Sequence, residues 1–127
     1  MKNREIFEAA LALLAEPMND ERIEDYASRA PYILAGFFYE NGNIDDKYRE
    51  FTGLEPRNYT HAVYADLDAD FPFADRFVSA ASANLASLLI IDENNELGDK
   101  LFDIYSTSMT KIVSEIPASC ESILNIY

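Results

Sequence analysis

Apolar residues recur at intervals of three and four along most of this chain, which is the spacing that lines one face of an α-helix. Ile6, Phe7, Ala10, Leu13 and Leu14 form the first such stripe and predict a helix over about residues 3–16, stopped by Pro17. Asn19 and Asp20 then supply an N-terminal cap, with Asp20 and Glu21 in the positively polarised first turn. The second stripe runs Ile23, Tyr26, Ala27, Ala30, Ile33 or Leu34, Phe37 and Phe38. Pro31 lies inside it and predicts a kink, since proline lacks the N–H and crowds the preceding turn.

From Asn41 to about Asp70 the period breaks. Asn41-Gly42-Asn43, Gly53, Pro56 and several acids predict an irregular segment, with a short helix available to residues 44–51 because Ile44, Tyr48 and Phe51 share a face. A loop of that length in a small domain is usually functional or partly ordered by its own side chains. Its tyrosines Tyr48, Tyr59 and Tyr64 read as exposed, and Tyr59 and Tyr64 are candidate partner contacts.

Beyond it, Asp70 as cap and Pro72 in the first turn open a helix of about residues 73–92, with Phe73, Phe77, Ala81, Leu85 and Leu89 on its stripe. Ser79, Ala80, Ser82, Ala83, Ala86 and Ser87 crowd the same element with small side chains, which lets other helices approach and places it at the centre. The turn Asp92-Glu93-Asn94-Asn95 caps a fourth helix carrying Leu97, Leu101, Ile104, Tyr105, Met109 and Ile112, ended by Pro117. The tail, about 118–127, closes on Ile123, Leu124, Asn125, Ile126 and Tyr127. Termini fray unless tied down, so Ile123, Leu124, Ile126 and Tyr127 are expected to pack on their own domain or on a partner. The expectation is an all-α fold: a single domain over 1–127, a small bundle of about four helices with an irregular middle segment and a short extended C-terminal tail.

Composition agrees with a folded chain, since 127 residues with 49% hydrophobic content and 13% aromatics can bury a core. One cysteine, Cys120, forms no internal disulfide, so a reducing compartment is expected. Glu5, Glu8 and Glu16 interrupt the N-terminal apolar stretch, unlike the core of a signal peptide, and Leu85 to Ile91 is too short to span a bilayer, so a soluble protein is expected. A net charge of −13, with only 10 basic residues scattered along the chain, opposes binding to phosphate backbones and anionic membranes.

Chemical sites fail on particular missing residues. Asp66, Asp68 and Asp70 alternate like the start of a calcium loop, but Phe71 stands where the turn glycine belongs and Phe77 where a bidentate glutamate belongs. His61 is the single histidine, which removes two-histidine metal sites, and no cysteine pair replaces it. No nucleophile elbow or phosphate-cradling glycine loop is present. No catalytic, metal or cofactor residues are therefore assigned, although an acid site assembled in space could draw on His61, Asp68 and Asp75. Arg76 and Asn84 on the third helix are either register-fixing groups between helices or interface contacts.

The stretch from Asp66 to Phe77, the alanine-rich helix after it, the acidic turn from Ile91 to Leu97 and the helix with Phe102 and Tyr105 resemble the head-tail connector, or adaptor, proteins of tailed bacteriophages and prophages. This resemblance covers about half the chain, from Asp66 to roughly Met109. It implies a non-enzymatic virion assembly protein that forms a ring with copies of itself on the portal and continues the channel through which DNA passes. It further implies the cytoplasm of a bacterial host, then the virion, as its location. The alternative is an acidic regulatory module that occupies a basic protein surface by imitating DNA.

Overall fold

The computed structural model describes residues 1–15 and 18–117, and the apolar tail lies outside the described residues. Helix α1 is Asn3–Leu14, α2 is Asp20–Thr52, α3 is Val78–Ile90 and α4 is Asn95–Glu115, with a 3₁₀ turn at Asp75–Phe77 before α3. The bundle is all-α, as the periodicity predicts. Its only β feature among the described residues is an isolated bridge between Lys2 and Asp70.

The caps fall where short polar side chains predict them. Asn19 accepts the Arg22 N–H at 2.8 Å to start α2, and Asn94 accepts the Leu97 N–H at 3.0 Å to start α4. Ala15 ends α1 in the left-handed region at φ 52°, and Gly53 ends α2 at φ 76°.

Helix α2 runs on past Pro31, as its stripe predicts, and the largest departure from expectation is its length, since it spans 33 residues and continues through Asn41-Gly42-Asn43. The carbonyl of Pro31 is taken by the N–H of Ala65 at 2.9 Å. Gly42 is tolerated because the Arg57 guanidinium lies over it, so closely that a Cβ there would sit 2.9 Å from Nη2. Residues 44–51 are thus the last turns of α2 and not a separate helix. The irregular segment is shorter than expected, covering residues 53–74.

That segment is a strap laid along α2 and ending against α1. Asn3 and Arg4 open α1, where backbone donors lack intrahelical partners. The carbonyls of Ala69 and Leu67 accept from them at 2.9 and 2.8 Å. Lys2 binds Asp70 at 2.8 Å and Arg4 binds Asp68 at 2.9 Å. Asp70 therefore does not cap α3, whose helical turns begin later than expected, after Phe77. Phe71 and Phe73 instead pack on Phe38 of α2, with ring centroids 5.7 and 5.1 Å away.

Helix α3 packs against α1, α2 and α4, and its small side chains are buried on nearly every side, from Ala80 to Ser87. Arg76, before α3, pairs with Glu115 at the end of α4 at 3.1 Å, fixing the register of that hairpin, while Asn84 is buried within α3. No helix among the described residues is long and apolar enough to cross a membrane.

Candidate protein-docking face

A buried ionic centre positions the strap. Asp45, 0% exposed on the inner face of α2, accepts the Ala74 N–H at 2.9 Å and Arg49 Nε at 2.9 Å, with Arg57 Nε at 3.4 Å. Burying a carboxylate is costly unless it is paired and hydrogen-bonded in this way. Arg57 also binds Asp46 at 3.3 Å, so two acids balance two arginines. Arg49 reaches further, donating to the carbonyls of Glu55 and Pro72, each at 2.9 Å. Both ends of the strap are thereby fastened to one helix.

Between these fastenings the strap carries residues 59–64 along α2. Tyr59 anchors it: its ring meets Phe38 edge-on at 5.3 Å, and burial pushes its phenol up against the opposing pull of the Arg57 charge. Tyr59 is therefore a half-buried core element, and Tyr48, half-buried against Phe77, is another. The expectation of three exposed tyrosines holds for Tyr64 alone.

What the strap exposes is an aromatic and apolar surface. Tyr32 and Tyr39 project from α2 at 59% and 70% exposure, beside Tyr64 at 50% and Val63 at 81%. Tyr32 meets Tyr64 edge-on at 5.2 Å, and Tyr39 meets His61 edge-on at 5.1 Å. Between the two ring pairs lies a hollow of about 290 Å³ lined by Gly36, Ala35, Glu40, Ala62 and Val63. A second hollow of about 460 Å³ continues past Tyr32 to Ser28, Arg29, Ile33 and Leu88.

Gly36 forms the floor. It is exposed, and a Cβ built on it would meet nothing within 4 Å. Glycine inside a helix is unfavourable against alanine by about 0.5–1 kcal/mol, and no packing within the chain requires it here. Groups presented by this face are rings, hydroxyls and methyls with the charged Glu40 and Arg29 among them, which suit non-covalent contact with another surface.

Of the residues predicted as contacts, Tyr64 lies on this face, Tyr59 lies beneath it, and Ile123, Leu124, Ile126 and Tyr127 lie outside the described residues. Sequence reasoning missed Tyr32 and Tyr39. The available signal was their position: both fall off the buried stripe of α2, seven residues apart, on its solvent side. Of the acids considered for a metal or acid site, Asp66 accepts the Asp68 N–H at 2.9 Å, and Asp68 and Asp70 pair with Arg4 and Lys2. Among the described residues no group of three or more His, Cys, Asp or Glu side chains is placed to hold a metal ion. No protein family matches the chain, and no curated protein or solved structure matches it either.

Proposed function

We propose that this chain is a non-enzymatic assembly protein that binds other proteins through the face formed by Tyr32, Gly36, Tyr39, Val63 and Tyr64. One observation carries the reading: large apolar and aromatic side chains stand exposed together on α2 and on the strap beside it, which a buried ionic centre holds in place. Contiguous apolar patches on a soluble domain mark interaction sites, and exposed tyrosines are favoured there because they offer rigid area with a polar tip.

The particular setting rests on the resemblance described above. In a phage connector the portal is the partner, neighbouring copies complete the ring, and an acidic wall suits DNA that must slide without adhering. Mass measurement of the protein across concentration, alone and with the portal ring from the same phage or prophage, tests this setting. A portal-bound ring is the expected product. A chain whose mass ignores the portal at every concentration contradicts the connector role.

A further inference from the structure

The solvent face of α2 carries a stripe whose two ends have opposite charge, with Asp25 and Lys47 equidistant from Gly36. Starting from Asp25, steps of three and four residues lead through Arg29, Tyr32, Gly36 and Glu40 to Lys47. At 3.6 residues per turn all of these lie within about 40° of Gly36. The stripe is exposed or half-exposed throughout, and it spans about 33 Å of helix.

We infer that a second copy of this chain occupies the face, with the two α2 helices antiparallel and crossing at Gly36 about a two-fold axis. Such an axis sets position 36−n of one copy against position 36+n of the other. Asp25 and Lys47 each lie eleven residues from Gly36, so the carboxylate of each copy faces the ammonium of the other. Arg29 falls opposite the second copy's Asn43 and keeps its pairing with Asp25 of its own chain at 3.7 Å, and Tyr32 falls opposite the second copy's Glu40. The two Asp25–Lys47 pairs are thus the charge-complementary contacts of this arrangement. A parallel arrangement would set Asp25 against Asp25 and Lys47 against Lys47, which disfavours it.

Other features agree with that geometry. Lys47 forms no ion pair within the chain among the described residues, nor does Glu40. Gly36, unused by the chain's own packing, removes the side chain that would hold two helices apart at their crossing. The axis runs across the helices, so the strap-bearing edges meet each other and cover Val63.

This pairing concerns the same face as the proposed function and adds to it: self-association would cap the surface until a partner displaces the second copy. Its test separates the two readings. Sedimentation equilibrium of the full chain over micromolar concentrations is expected to give a monomer–dimer equilibrium built on the 14.4 kDa chain. Lys47→Asp, which sets carboxylate against carboxylate twice per dimer, is expected to weaken the dimer at least about tenfold. Adding Asp25→Lys to it should restore the dimer. Gly36→Leu should abolish it while leaving the fold intact, since the added side chain meets open space, and thermal melts of each variant check the fold. A wild-type chain that stays monomeric, or a dimer indifferent to Lys47→Asp and Gly36→Leu, overturns the inference. Portal binding in the presence or absence of dimerisation bears on the function alone.

Discussion

The buried carboxylate of Asp45 accepts the backbone N–H of Ala74 at 2.9 Å, across 29 residues of chain. This bond joins the middle of α2 to the end of the strap, so one side chain determines where residues 59–64 lie. Replacing it with Asp45→Ala leaves the Arg49 and Arg57 guanidinium groups buried without their shared carboxylate. Urea denaturation should register a loss of about 3–5 kcal/mol. Asp46→Ala, at an acid whose side chain is 53% exposed, should cost less than about 1 kcal/mol. Equal losses from both would show that the centre does not anchor the strap.

Two glycines of the same helix should respond with opposite signs. Gly36→Ala adds a methyl to open space and should stabilise by about 0.5–1 kcal/mol. Gly42→Ala places its methyl 2.9 Å from Arg57 Nη2, and the guanidinium cannot retreat without loosening its hold on Asp46. Thermal melts should show the midpoint rising for the first and falling for the second. A rise for both would mean that Arg57 is not confined above α2.

Acid should weaken the junction between α2 and the turn before α4. Glu93 accepts the Tyr26 hydroxyl at 2.9 Å and also pairs with Arg22, and these contacts hold its carboxyl below the ordinary value of 4.5. Tyr26 is shifted the other way, upward, by burial first and by the Glu93 carboxylate second. A carboxyl depressed in the folded state stabilises above its unfolded value, and that stability is lost as pH falls through the lower folded-state value. Stability of the wild type should therefore decline as pH drops from about 5 toward 3, and Glu93→Gln should flatten part of that decline. A pH profile unchanged by Glu93→Gln would contradict the assignment.

Local signals were legible in the sequence and non-local ones were not. The apolar stripes of α1 and α4 and the caps Asn19 and Asn94 depend on residues within one or two turns, so periodicity and cap chemistry locate them. The passage of α2 through Asn41-Gly42-Asn43 depends on Arg57, fifteen residues from Gly42 and beyond any local pattern. Asp70 offered itself as a cap for the third helix, and Lys2, 68 residues away, took it instead. The docking face was half legible. Tyr64 stood out as a loop aromatic, whereas Tyr32 and Tyr39 became visible only once the strap was seen running beside α2.

The claim that these side chains serve contact and not folding is tested most directly by one triple variant, Tyr32→Ser, Tyr39→Ser and Val63→Ser. Its mass should be measured across concentration, alone and with portal, beside its unfolding free energy. Loss of association with stability changed by less than about 1 kcal/mol is the expected result, because exposed positions contribute little to folding. Unimpaired association combined with a stability loss of several kcal/mol would make the face a structural element and contradict the account.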